Sequence, residues 1–284
     1  MRWKREKAIS HTRKITKTSG LELDRSDGRP LQIVPTDVAQ FIRLDQCDRY
    51  LRLRLYHRQQ RSATFLGDFG VVPQPLPPLL RHSGLTYEAE VVDQIEKTHS
   101  LIRLDTDRGD GEDDNERILE VIDELPPGET IVISQARIHA VITGWEVRGD
   151  IDILRLERNS DGNLSLLVAD IKSSRTGKLE HRLQVAMYIE MLESILQQVS
   201  AGPLSIDLGI LYRGASHHDS LLPDDERQRL ADQQQSAQEI LGVTSGYLEI
   251  ADDSIVFRDA VADLVTGEDS RAREVASKPF EEVN

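Results

Sequence analysis

The chain has 284 residues, 49 of them acidic and 35 basic, with a formal net charge of −14 and one cysteine, Cys47. A lone thiol excludes an internal disulfide and a cysteine-only metal site, and the surplus of acids speaks against nucleic acid as a partner. No stretch approaches the roughly 20 apolar residues that cross a bilayer, and Met1 to Gly20 is too basic and polar for a secretory signal, so a cytoplasmic protein with no membrane partner is expected.

In chain order, residues 1–30 read as a disordered basic tail carrying Arg2, Lys4, Arg5, Lys7, Arg13, Lys14 and Lys17. Such a tail makes at most weak, sequence-blind phosphate contacts. The main domain is placed at 31–250 and a C-terminal extension at 251–284. Thr36 is expected to cap a helix running to about His57, with Val38, Phe41, Ile42, Leu44 and Cys47 along its apolar face. Pro73, Pro75, Pro77 and Pro78 make 62–82 a loop. A second helix is expected from about Gly84 to Thr98, with Val91, Val92 and Ile95 at helical spacing. The acidic stretch Asp105 to Glu116 has the wrong spacing for a calcium loop, because Gly109 takes the place of the third ligand. It reads as a mobile surface insertion. Ile131–Ile138, Trp145–Leu156 and Leu164–Ile171 read as three strands, the last two joined by an Asp161-Gly162 turn. A helix over Leu179–Gln198, a strand over Leu204–Tyr212 and a helix over Asp224–Ile240 follow.

The chemistry concentrates on the second and third of those strands. Side chains alternate faces along a strand, so Trp145, Val147, Ile151 and Ile153 are expected on one face and Glu146, Arg148, Asp150 and Asp152 on the other. Acids within an apolar sheet need a partner or a metal. The third strand stays apolar until Asp170 and Lys172, which share a face. If the two strands pair as a hairpin, Asp152 and Asp170 face each other with Cβ atoms about 4.5–5.5 Å apart. That spacing lets two carboxylates share one hard cation, with Lys172 beside them and Asp150 as the alternative to Asp152. On the next helix Gln184 and Tyr188, four apart, share a face among apolar neighbours. His181, His217 and His218 read as surface histidines.

Together, Gly149-x-x-Asp152, Asp170-Ile171-Lys172 and Gln184-x-x-x-Tyr188 resemble the signature of the RecB-type nucleases of the PD-(D/E)XK superfamily. Gly84-Leu85-Thr86-Tyr87-Glu88 resembles that family's Gly-x-x-His-Glu element, with Tyr87 in place of the histidine. The nearest groups are the stand-alone RecB-like nucleases and the CRISPR-associated RecB-like exonucleases. The resemblance implies an α/β restriction-endonuclease-like core, a mixed central sheet flanked by helices in the order helix, three strands, helix, strand. It implies Mg²⁺ or Mn²⁺ held by Asp152, Asp170 and the carbonyl of Ile171, with Glu88 ligating directly or through water. Lys172 would orient or deprotonate the attacking water and offset developing charge, while Gln184 and Tyr188 hold the substrate backbone or the surroundings of the metal. Arg175 and Lys178, just after the strand, would grip neighbouring DNA phosphates. Where relatives use the missing histidine as a ligand, this site is one ligand short.

Cys47 stands where such nucleases have the first cysteine of an iron–sulfur cluster, but the three later cysteines are absent, so no [4Fe-4S] cluster is expected in this chain. Either the lineage lost the cluster or the chain is the amino-terminal part of a longer protein. The expected activity is metal-dependent DNA hydrolysis, as a RecB-like exonuclease in repair, recombination or CRISPR adaptation. The alternative is a non-catalytic nucleic-acid-binding module on a nuclease fold; against it, Asp152, Asp170 and Lys172 are all present. A histidine-ligated hydrolase is disfavoured by the lack of His-x-x-x-His. The global charge weighs little. Only 8 basic residues are lysine, and acid-rich, lysine-poor chains resemble the proteins of salt-loving microbes, where charge is screened within roughly 3 Å at 1 M salt.

Overall fold

Alternating apolar residues make the middle of the chain a sheet, and the length of one strand sets its plan. The computed structural model describes residues 30–60, 77–104, 112–197, 204–214, 222–279 and 282–283. The basic tail, most of the proline-rich loop, 105–111 and the His217-His218 pair lie outside them. The strands are β1 (Leu31–Ile33), β2 (Ser100–Arg103), β3 (Thr130–Ile142), β4 (Trp145–Arg158), β5 (Leu164–Lys172), β6 (Leu204–Tyr212) and β7 (Tyr247–Ile250). They form one mixed sheet in the order β2-β3-β4-β5-β6-β7. The β3–β4 and β4–β5 pairs are antiparallel, and β5–β6 is parallel.

β4 has 14 residues. On one side β3 runs beside nearly all of it. On the other, two strands share it: β1 pairs in parallel with Trp145–Val147, and β5 pairs with Ile153–Arg158. Residues 148–152 lie in the interval between those two partners. The expected α/β hairpin is therefore present, with an interval in the ladder where the candidate acids stand.

Helices cover both faces. α1 (Pro35–Arg43), α2 (Asp48–Gln60), α4 (Glu112–Glu124), α5 (Leu179–Leu196), α7 (Ile255–Val261) and α8 (Arg271–Ser277) bury Phe41, Leu55, Ile118, Met187, Val261 and Val275 against one face. α3 (Pro78–Thr98) and α6 (Asp224–Leu241) bury Val91, Ile95, Ala237 and Leu241 against the other. No described helix is long and apolar enough to cross a membrane.

Several boundaries differ from expectation for local reasons. The first helix starts at Pro35 after Val34, not at Thr36, because Asp37 accepts the Val34 N–H at 3.3 Å. It breaks before α2, where Asp45 and Gln46 adopt φ values of 52° and 57°. Cys47 therefore sits exposed in a turn and not on a helical face. α3 begins earlier than expected, since Pro78 suits a first helical turn, where no N–H bond is lost. Glu112 to Glu116, read as loop, open α4. Two of these residues bind the neighbouring strand: Asp114 accepts the Arg137 N–H at 2.8 Å, and Asn115 donates to the His139 carbonyl at 2.6 Å. These side chains occupy the part of the β3 edge that β2 does not reach.

The largest departure lies in β3 and β4 themselves. Ile151 packs in one core and Ile153 in the other, so the expected common face is wrong beyond Ile151. β3 inverts at the same level: Ile133 shares a core with Ala136 and Ile138, not with alternate positions. The rungs Ser134↔Ile153 and Ala136↔Ile151 bracket the inversion, and Gln135, opposite Asp152, has φ 58°. Because both strands slip at one rung, the register is the same on either side.

The C-terminal helices belong to this core. Arg52, 2% exposed, donates from α2 to the carbonyls of Val275, at 3.3 Å, and Ala276, at 2.6 Å, on α8. Arg52→Met removes both donors and strands two buried carbonyls. It should destabilise the protein by about 1–3 kcal/mol, read as a lower urea midpoint together with faster amide exchange over 271–277. An unchanged midpoint would mean that α8 is not held through this guanidinium.

Candidate active site

The interval in the β4 ladder is where the candidate residues meet. The last rung between β4 and β5 is Ile153↔Ala169, so the next position sets Asp152 against Asp170. No ladder bond closes that rung. Instead the Asp152 carboxylate reaches across and accepts the Ile171 N–H at 2.7 Å. A residue's N–H and C=O project to the same side of a strand. Lys172 directs its carbonyl to β6, where it accepts the Arg213 N–H at 3.1 Å. Ile171, one residue earlier, therefore turns both its polar groups toward β4 and Asp152.

Asp170 is 2% exposed. Its Oδ2 lies 2.5 Å from Lys172 Nζ and meets no hydrogen-bond donor in good geometry among the described residues. Burial, and then the neighbouring Asp170 carboxylate, raise Asp152 well above the ordinary carboxylate range, with Lys172 opposing them. For Lys172 burial works downward, but Asp170, Asp152 and Glu88 outweigh it, and its affinity for the proton rises. Lys172 is therefore an ammonium at neutral pH.

α5 supplies the wall above this pair. Gln184 and Tyr188 stand one turn apart, and the Gln184 amide donates to the Tyr188 hydroxyl at 3.0 Å. Burial, then Asp170, raise the Tyr188 pKa, which keeps the phenol neutral. The Tyr188 ring packs against β4 at Gly149. A Cβ at that glycine would come 2.5 Å from Tyr188 Cε1 and 3.1 Å from Pro35 Cγ. The glycine of Gly149-x-x-Asp152 thus has a steric reason: it lets α1 and α5 close on the strand beside the acids.

His181 corrects the sequence reading. It is half-buried on the same α5 face, one turn before Gln184, and its Nδ1 is enclosed with no hydrogen-bond partner among the described residues. Burial and then Lys172 lower its pKa, with Asp170 opposing, so the ring is neutral at neutral pH. The spacing 181, 184, 188 was the available signal for this residue.

α3 brings a third carboxylate. Burial raises the Glu88 pKa; Lys172 and Asp170 act on it with opposite signs, which places it beside the pair. Gln135 donates to Glu88 Oε1 at 2.6 Å. A left-handed non-glycine residue inside a central strand costs about 1–2 kcal/mol, and here it turns the Gln135 side chain to Glu88. Sequence reading missed Gln135, since nothing local marks a glutamine for positive φ.

The remaining candidates divide. Arg175 and Lys178 are exposed on the β5–α5 segment, Lys178 immediately before α5. Asp150 is not an alternative to Asp152: Arg137 Nε holds its Oδ1 at 2.7 Å across the β3–β4 rung. Tyr87 is fully buried with its hydroxyl toward Gly246, so the position of the expected histidine offers no ligand to the acids. Cys47 is not among these residues.

Chemically, the site sets Asp152, Asp170 and Glu88 against one ammonium. Its donors are carboxylate oxygens and a carbonyl, the set preferred by a small hard cation. No three His, Cys, Asp or Glu side chains among the described residues form a ready-made cage. The pair therefore suits an ion that keeps water or phosphate in its other positions, as Mg²⁺ does. Three carboxylates set against one ammonium, and the raised Asp152, both fit added positive charge.

Gly149→Ala should displace the Tyr188 ring and cost about 1–3 kcal/mol, the range for overpacking a tight core. Urea unfolding of the variant checks it; wild-type stability would show that the strand can yield to α5. No protein-family model matches the chain, and no curated protein matches it significantly.

Proposed function

We propose that this chain is a divalent-metal-dependent nuclease that hydrolyses DNA phosphodiester bonds, built on a restriction-endonuclease-like core. We further propose a RecB-like exonuclease role in repair, recombination or CRISPR adaptation. The observation that carries the reading is the convergence of Asp152, Asp170 and Lys172 at one unclosed rung of the central hairpin. The element order supports it too, since β3–β4–β5, α5 and β6 follow one another, with α3 upstream and β2 and α4 between it and β3.

In this reading Asp152, Asp170 and the Ile171 carbonyl would hold Mg²⁺ or Mn²⁺, with Glu88 acting directly or through water. The ion, when bound, polarises the scissile phosphate and acidifies its water. Lys172 serves as a charge and a donor, not as a base, because its surroundings strengthen its hold on the proton. Its Nζ is placed to orient the attacking water and to offset charge that builds on the phosphate. Gln184 fixes the Tyr188 hydroxyl above the pair, and Gln135 fixes Glu88 beside it.

The direct experiment incubates the protein with linear and circular, single- and double-stranded DNA in Mn²⁺, in Mg²⁺ and in EDTA. Cleavage should require the metal. Asp170→Ala and Lys172→Ala should each lose at least ~10³-fold, about 4 kcal/mol in the barrier, while keeping the wild-type circular dichroism spectrum. If both variants cut at the wild-type rate, the assignment is wrong.

A second test reads stability. Without metal, an acid whose folded pKa is raised destabilises the fold as pH climbs from its unfolded value, about 3.9 for Asp, toward the folded one. In EDTA, Asp152→Asn should therefore be more stable than wild type at pH 8, with the difference vanishing near pH 4. Adding Mn²⁺ at pH 8 should raise the wild-type melting temperature and leave the variant's unchanged. A variant less stable than wild type in EDTA at pH 8 would contradict the buried-charge account.

A further inference from the structure

Most described arginines of this acidic chain are matched to a carboxylate; Arg137, Arg155, Arg182 and Arg258 are examples. Arg213 is different. It is exposed, and no carboxylate stands within ion-pair distance of it among the described residues. Yet its guanidinium is not loose. It lies over the Tyr87 ring, 5.3 Å from the centroid, and its Nη1 donates to Ser83 Oγ at 2.9 Å. Its own backbone N–H is fixed on the Lys172 carbonyl. A cation held by an aromatic face and a neutral hydroxyl keeps its charge uncompensated among the described residues, and its planar fork suits a phosphate. Its place is the end of β6, beside the end of β5 that carries Lys172. Gly84 of α3 comes close to Ser173 there, so α3, β5 and β6 meet at one rim.

We propose that Arg213, held by Tyr87 and Ser83, binds a backbone phosphate of the nucleic-acid strand that enters the carboxylate site. The substitution of tyrosine for the expected histidine then has a use: it exchanges a ligand for a platform under an arginine. The proposal rests on the nuclease reading for its substrate, but it is measured through binding and not through cleavage.

The test is fluorescence anisotropy of a labelled single-stranded oligonucleotide with the full chain in EDTA. Arg213→Ala should weaken binding about tenfold and lower the slope of log K against log salt by about 0.7, the share of one phosphate contact on a single strand. Arg213→Lys should fall between, since it keeps the charge and loses the fork. Tyr87→Phe should bind as wild type, because the ring remains. Arg229→Ala, which removes the same charge from α6, should change affinity little. The proposal is overturned if the wild type binds no oligonucleotide, if Arg213→Ala binds as wild type, or if Arg229→Ala loses as much. An enzyme that cuts DNA with its KM unmoved by Arg213→Ala would remove the clamp and leave the nuclease. Weakened binding in a protein that cuts nothing would do the reverse.

Discussion

Two carboxylates held at adjacent positions of neighbouring strands, one buried and the other half-buried, repel each other and lose hydration together. That unfavourable contact between Asp152 and Asp170 is the constraint around which the rest of the site is arranged. Like charges in such a place persist only when opposite charge and donors are supplied. The Ile171 N–H is one donor and the Lys172 ammonium is the charge. Both come from the strand that carries Asp170, so the compensation is as local as the problem. It is also incomplete, since Glu88 adds a third carboxylate to the same ammonium.

The fold is shaped to admit this arrangement. A regular β4 fully paired on both sides would close the Asp152 rung with ladder bonds and alternate its faces without interruption. Here β1 and β5 share one side of β4, and β3 and β4 invert their faces together at the Gln135 level. The inversion preserves the register, so its effect is confined to a single rung. Backbone kept in a sparsely populated conformation persists only where its surroundings over-determine it. At Gln135 the surroundings are a long ladder on both sides and a hydrogen bond to Glu88.

Charge elsewhere in the molecule follows a different rule. Asp37 is buried beneath Arg54 and Arg58, Arg52 is spent on backbone carbonyls, and Arg271 ties Asp48 to the last helix. These groups close on one another and hold elements together. The acids at the β4–β5 rung outnumber the one ammonium beside them, and the arginine at the end of β6 meets an aromatic ring and a hydroxyl. This difference in how charge is matched, more than the net charge of −14, separates the architectural ions of this chain from those of the candidate site.

The sequence alone was enough for whatever depends on short spacings. Alternation and a turn dipeptide located β4 and β5 with their acids, an i, i+2 spacing put Lys172 with Asp170, and an i, i+4 spacing put Tyr188 with Gln184. These relations follow from the fixed geometry of strands and helices, whatever surrounds them. β1, β2 and β7, at three to four residues, are too short to show a period and exist because longer strands offer them an edge. The inversion at Asp152, the left-handed Gln135, the inward turn of His181 and the stacking of Arg213 on Tyr87 were decided by tertiary structure. Each joins residues far apart in the chain, and the conformation it requires is unfavourable or unremarkable until packing imposes it.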